Sequence, residues 1–363
     1  MKNIEHFYKK IGDFVNSCDI SLLNNKLYRD DIIQITFHSK DNFDSEAKYP
    51  FLISHIDFIP CGESEQNIVS LVGYLQKNIN LNVTGKLNGY DGEVTHWQIF
   101  YMLKEIITTL KRTGYNYYRG QSHDWPTLPG IFRNLYSVEK KSAYEEFEML
   151  YRKVSREFPE ELKYISISLD EIKENELKTA RVEREDQLSI LQHYGMKTPL
   201  IDITSNPFIA MQFMLSGDEL DIPRLEFYKI DEEKSTLFSS VHKMNKNKRI
   251  RAQKGAFLNY DNLYPNFEVD NRDVKLDDSY SPIKRVIVKL IFDEEEKDAA
   301  KRAHCYNVIA NRLTKKLDEY GYSRNDLYPD FSDFVSFQSS RYLYNSSEFK
   351  GMRISKTDLP KIS

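Results

Sequence analysis

Three short segments, far apart in the chain, carry side chains able to do chemistry. The first is Tyr117-Tyr118-Arg119-Gly120-Gln121. An arginine ending a strand-like run presents a planar guanidinium fork suited to bidentate contact with phosphate or carboxylate. Gly120 lets the backbone turn there or approach a ligand closely. A structural ion pair is the alternative use of Arg119. The second segment is Leu191-Gln192-His193-Tyr194-Gly195 with the run from Thr198 to Pro207. His193 and Tyr194 stand near Asp202, Thr204 and Ser205, and Asp202 is the one charged residue between Pro199 and Ile203. A carboxylate in an apolar strand is costly unless partnered. Asp202 is therefore expected to pair with Arg119, to pair with His193, or to act directly. The third segment, Arg249-Ile-Arg251-Ala-Gln253-Lys-Gly255-Ala-Phe257, reads as a basic loop entering a strand. Gln253 offers paired hydrogen bonds to a sugar hydroxyl or base edge. The basic run from Lys246 to Arg251 is either a solvated loop or a phosphate contact.

Several chemistries lack their motifs. No Gly-x-Ser-x-Gly elbow supports a Ser-His-Asp hydrolase. No P-loop is present, which excludes ATP hydrolysis through a Walker site, and no Gly-x-Gly-x-x-Gly marks a dinucleotide fold. His-Glu-x-x-His and Cys-x-x-Cys are absent, and Cys18, Cys61 and Cys305 are widely separated, so neither a metal site nor a disulfide framework is expected. The formal net charge of -4 gives no global field to recruit nucleic acid, so such a partner would need a local basic patch. The opening residues lack an apolar signal region, and no run of about 18 apolar residues exists, so a cytoplasmic location without a membrane partner is expected.

The elements that must position these side chains follow from periodicity. With 363 residues, 40% of them hydrophobic, the chain can build a large core. Its 24 Tyr and 21 Phe are expected to lie mostly inside that core. Ile4 to Val15 has helical spacing; 31–37 and 50–59 read as strands; Ile68, Leu71, Val72 and Leu75 mark a helix; Thr95 is placed to cap another reaching Arg112. Tyr115 to Gly120 reads as a strand and 124–130 as a Pro-rich loop containing Trp125, expected in the core. Segments 139–157, 169–181 and 183–194 read as helices, the last ending at Gly195. Pro199 to Ile203 is a short strand, and Asn206-Pro207 starts a helix. Strands follow at 224–230, 256–260 and 284–292, then a long helix from Glu294 to Tyr320 with Ala299, Ala303, Tyr306, Ile309, Ala310 and Leu313 inward, and another helix from Asp330 to Tyr344. The fold class is α+β, a split central sheet flanked by helices. The turn-rich Gly85 to Gly92 separates an N-terminal α/β accessory region, 1–90, from a main domain, 91–345, and a tail, 346–363.

Together the segments resemble the FRG domain, a family named for its Phe/Tyr-Arg-Gly motif. The matching stretches are Tyr118-Arg119-Gly120-Gln121, Leu191 to Pro207, Arg251-x-Gln253-x-Gly255-x-Phe257, and Gly321 to Asp330. The likeness spans about 115 to 337. Ile203 departs from a frequent Trp, and Pro199-Leu200 from a frequent Thr-Arg. The motif order is similar to that of ADP-ribosyltransferases, which implies a core of that kind and NAD as the bound nucleotide. On this resemblance Arg119 holds the pyrophosphate beside Gly120 and Gln121, and Tyr118 or Tyr194 stacks on nicotinamide. His193 meets the adenosine ribose, Thr204 and Ser205 shape the nicotinamide pocket, and Gln253 positions a nucleic-acid, nucleotide or protein acceptor. Gly255 falls where DNA-modifying toxins of this class carry a catalytic Glu, so on this resemblance either transfer is lost or Asp202 or another carboxylate substitutes. The resemblance points to a toxin or phage-defence setting. Two other readings stand beside it. One is a non-catalytic nucleotide or nucleic-acid sensor with a protein partner on residues 1–90. The other is a metal-independent nuclease using His193 and Asp202.

Overall fold

Alternating Ile33, Ile35 and Phe37 bury one face of a strand. That strand begins the sheet that organises the molecule. The structure is a computed structural model and describes residues 20–39, 51–84, 93–133, 143–166, 174–217, 220–240, 248–264, 267–270, 273–276, 280–292 and 299–323, with Leu327 and Val335. The expected helix at 4–15, the 85–92 boundary, the expected start of the long helix at 294–298 and, Val335 apart, the helix at 330–344 lie outside these residues.

In chain order the elements are α1 (Ile20–Leu27), β1 (Tyr28–Ser39), β2 (Phe51–Ile59), α2 (Gln66–Thr84), α3 (Glu93–Arg112) and β3 (Tyr117–Gln121). A 3-10 turn, Gly130–Phe132, precedes α4 (Ala143–Glu157), α5 (Glu174–His193), β4 (Leu200–Thr204), α6 (Pro207–Leu215), β5 (Arg224–Lys229) and β6 (Phe238–Ser239). Then come α7 (Lys248–Ala252), β7 (Gly255–Asn259), β8 (Phe267–Asp270), β9 (Asp273–Leu276), β10 (Ile283–Phe292) and α8 (Ala299–Glu319). Eight strands form one open sheet in the order β2-β1-β10-β5-β3-β4-β7-β6, and β8 pairs with β9 separately. The β1–β10 pairing is parallel and runs from Tyr28↔Ile283 to Phe37↔Phe292; the other ladders are antiparallel. The architecture is thus mixed α/β around an open sheet. One core packs Leu225, Phe227, Val286, Val288 and Leu290 with residues of α2, α3, α6 and α8. The other packs Leu200, Ile201, Phe257 and Leu258 with residues of α1, α4 and α5. Among the described residues no helix is long and apolar enough to cross a membrane.

Several expectations are corrected. Thr95 lies inside α3 rather than capping it. Residues 174–193 form one helix, because no Gly or Pro interrupts them. Of the basic segment, Lys248–Ala252 forms a short helix, α7, not a loop, and 246–247 lie outside the described residues. In α8 Tyr306, Ile309, Ala310 and Leu313 are buried as expected, but Cys305 and Leu317 complete that face while Ala299 and Ala303 are exposed. Trp125 is 52% exposed and stacks on His123 at 4.2 Å, outside the core.

Candidate functional site

β3 and β4 are joined by a single register pair, Tyr118↔Thr204. The residues that follow Tyr118 on β3 and precede Thr204 on β4 are therefore released from cross-strand pairing with each other. A cavity of about 450 Å³ opens at this place. Its wall includes Arg119 from β3, Asp202 and Thr204 from β4, Gln192 and His193 from the end of α5, Arg249 from α7, and Gln253 and Gly255. The three segments singled out by sequence meet here. Arg133 and Lys197 also line it, so among the described residues the wall holds four cationic side chains (Arg119, Arg133, Lys197, Arg249) and one carboxylate, Asp202.

Local structure explains the convergence. α5 ends where Gly195 adopts φ +87°. Its N–H donates to Gln192 O at 3.0 Å, and Met196 N–H donates to Leu191 O at 3.0 Å, the paired bonds of a Schellman cap. That cap fixes Gln192 and His193 at the cavity. Thr204 Oγ1 donates to Gln253 O at 2.7 Å, and Ser205 N–H donates to Lys254 O at 3.0 Å, docking the third segment on the second. Asn206 caps α6 by accepting from Phe208 N–H at 3.0 Å.

Arg119 is held without being consumed. Its Nη1 lies 3.6 Å from Glu226 Oε2, an ion pair beyond hydrogen-bond range, and that buried Nη1 has no hydrogen-bond partner. Glu226 is fully buried. Burial alone would raise its pKa, but Arg224, Arg119 and Arg285 outweigh that and hold it well below the usual carboxylate range. Glu226 Oε1 also accepts from Thr127 at 2.9 Å and Gln121 at 3.2 Å, and Tyr228 OH donates to Oε2. Arg285 makes a two-point pair with Asp30, at 2.7 and 2.6 Å. Arg133 is pushed down to about 10, first by burial and then by the charge of Arg119.

Asp202 is exposed to the cavity, while the surrounding protein still raises its carboxyl by desolvation. A hydrogen bond from Gln192 and the charges of Arg119, Arg249 and Arg133 oppose that rise. The expected direct pairing of Asp202 with Arg119 or His193 is not what forms. Gln192 Nε2 donates to Asp202 Oδ2 at 2.7 Å, and the ion pair of Arg119 goes to Glu226.

The remaining candidates divide. His193 lines the cavity and carries Tyr194 edge-on at 5.1 Å, with Tyr194 82% exposed. Gln253 lines it too, its Nε2 donating to Leu327 O at 3.1 Å. The Tyr118 ring is in the core, edge-on to Phe227 at 5.6 Å, with its OH donating to Tyr115 O. Gln121 is buried, its amide spent on Trp125 O and Glu226, and Ser205 lies on the Lys254 side. A Cβ on Gly120 would lie 1.8 Å from Ala210 O, so this glycine serves the close packing of β3 on α6. Glu226, Arg224, Arg285, Arg133 and Gln192 were not anticipated. One sign was readable: Arg224 and Glu226 alternate with Leu225 and Phe227, so charge occupies one face of a buried strand. Among the described residues no three His, Cys, Asp or Glu side chains gather to hold a metal ion.

No curated protein and no solved structure matches the chain. The profile of the FRG domain family matches residues 114–221. That stretch runs from the turn before β3 to the residues before β5. It contains the Arg119 strand, the capped end of α5 and the Asp202 strand, and stops short of Gln253. With those motifs in place and in order, residues 114–221 are an FRG domain.

Proposed function

We propose that the cavity binds an NAD-type dinucleotide and that the chain consumes it, as a transferase or glycohydrolase. The observation that carries this reading is Arg119: a guanidinium anchored by a buried glutamate at 3.6 Å, with its Nη1 hydrogen bond unmade, in the same cavity as the Asp202 carboxylate. Held but unspent guanidinium donors suit a phosphate group. The volume falls within the roughly 300–1,000 Å³ typical of small-molecule sites. Arg119 and Arg133 bind the phosphates. Asp202 accepts from a ribose hydroxyl and places negative charge near the reacting carbon, the role left open by Gly255. His193 meets the adenosine ribose, and Tyr194 offers its open ring face for stacking. When bound, NAD supplies a ribosyl group whose bond to nicotinamide is already weakened by the ring's positive charge. The acceptor is water, a nucleic acid or a protein.

A second reading has its own observation. Thr204 Oγ1 and the Gln253 amide, assigned to pocket and acceptor, are engaged by Gln253 O and Leu327 O. That favours a site that binds a nucleotide and senses it without turnover. Chromatography of nicotinamide released by wild type and Arg119→Ala, with and without DNA, RNA or protein acceptor, separates the two. Release that falls about 100-fold or more in the variant is expected, the loss typical of removing a charged group from a developing transition state. Binding without release moves the assignment to a sensor. Neither binding nor release refutes both.

A further inference from the structure

Among the described residues Asp202 is the one carboxylate in the cavity wall, and the hydrogen-bonded line that orients it runs through Gln192 and Thr198, which line the same cavity. Leu200 N–H donates to Thr198 Oγ1 at 3.2 Å. The Thr198 hydroxyl proton is thereby directed to Gln192 Oε1, which it donates to. An amide whose oxygen is fixed in this way must turn its NH₂ the other way. Gln192 Nε2 does so, donating to Asp202 Oδ2 at 2.7 Å. The Schellman cap at Gly195 fixes the backbone that carries Gln192. Each group in the line Leu200 N–H, Thr198, Gln192, Asp202 thus has its donor direction set by the one before it.

We propose that Gln192 is a positioning residue: its amide, locked by Thr198, holds Asp202 by Oδ2 and leaves Oδ1 to accept from a ligand. The proposal rests on the nucleotide reading for what Oδ1 meets, but the orientation it describes exists without ligand. A donated hydrogen bond favours the ionised form of a carboxyl. Gln192 thereby works against the desolvation that raises Asp202. The other charged groups acting on Asp202 are Arg119 from β3, Arg249 from α7 and Arg133 after the 3-10 turn, with Lys197 and His193 also in the wall. None of these is altered by changing Gln192.

The test is the titration of Asp202 in the ligand-free full chain, followed by NMR with aspartate labelled at Cγ and the signal identified by its loss in Asp202→Asn. In Gln192→Leu the midpoint is expected to rise by about one pH unit, the scale of one lost hydrogen bond to a carboxylate. Thr198→Val is expected to move it in the same direction by freeing the amide, and Thr198→Ser to restore the wild-type value. If Gln192→Leu does not fold, Gln192→Asn, which withdraws the amide by one methylene, is read the same way. An unchanged midpoint in the Gln192 variant overturns the proposal even if the protein consumes NAD. A raised midpoint in a protein that ignores NAD leaves the proposal standing and refutes the functional reading.

Discussion

Glu226 and Glu185 are both deeply buried carboxyls, and their surroundings drive them in opposite directions. Three arginines keep Glu226 ionised. Glu185 has no such partner among the groups that act on it and is raised from 4.5 to about 7, first by burial, against hydrogen bonds from Ser239 and Asn259. Its folded form therefore holds a proton that the unfolded chain releases. The stability linked to Glu185 is present below about 4.5 and is lost as pH rises towards 7. Glu185→Gln is expected to be nearly neutral at pH 4.5 and to stabilise by about 2–3 kcal/mol at pH 8. Thermal melts of both proteins across pH check this; a variant less stable at pH 8 would contradict it. At this scale Asp202 was legible in the sequence because a lone charge in an apolar strand needs a reason. The partner of Arg119 was not, because Arg119↔Glu226 is a cross-strand pair and depends on β3 lying beside β5. Gln192 escaped for another reason: an amide at a helix end has many uses, and only the Thr198 bond reveals this one.

The elements hold the site through one close approach and one loose join. β3 packs on α6 with Gly120 at the contact, where an added Cβ would lie 1.8 Å from Ala210 O and 2.5 Å from Met214 N. Both are backbone atoms and cannot step aside alone. Gly120→Ala is expected to cost about 3 kcal/mol, measured by urea unfolding. A loss under 1 kcal/mol would mean that the two elements separate easily. Gly255 differs, because its added Cβ would meet Ile250 Cγ2 at 3.2 Å, a side chain able to shift. Gly255→Glu is therefore expected to fold, within about 1–2 kcal/mol of wild type, and to place a second carboxylate in the cavity wall. If it does not fold, the space behind β7 is tighter than α7 suggests. The sequence placed most strands within a residue or two, since alternation is local. Gly120 lines the cavity, but the neighbour that needs its missing side chain is α6, and glycine signals closeness without naming the neighbour. The sequence divided α5 and unwound α7, where charge-rich composition hid helical continuity.

At the scale of the molecule, the sheet ties the N-terminal strands to the site. β1 runs parallel to β10 over ten register pairs, and Asp30 of β1 neutralises Arg285, which also faces Glu226 at 3.8 Å. Parallel pairing of segments some 250 residues apart carries no local signature, so this link was not legible in the sequence. Asp30→Ala leaves Arg285, 2% exposed, without its two-point partner, and is expected to cost about 3 kcal/mol in denaturant unfolding. A chain starting at residue 91 would also expose the β10 edge and is expected to be aggregation-prone; a soluble, cooperatively melting fragment would contradict that. The central claim, that a phosphate-bearing nucleotide sits against Arg119 in the cavity, is tested most directly by calorimetric titration of ADP-ribose into wild type and Arg119→Ala. Saturable one-site binding that weakens at least tenfold in the variant is the predicted result. No heat in either protein, or equal affinity in both, would contradict it.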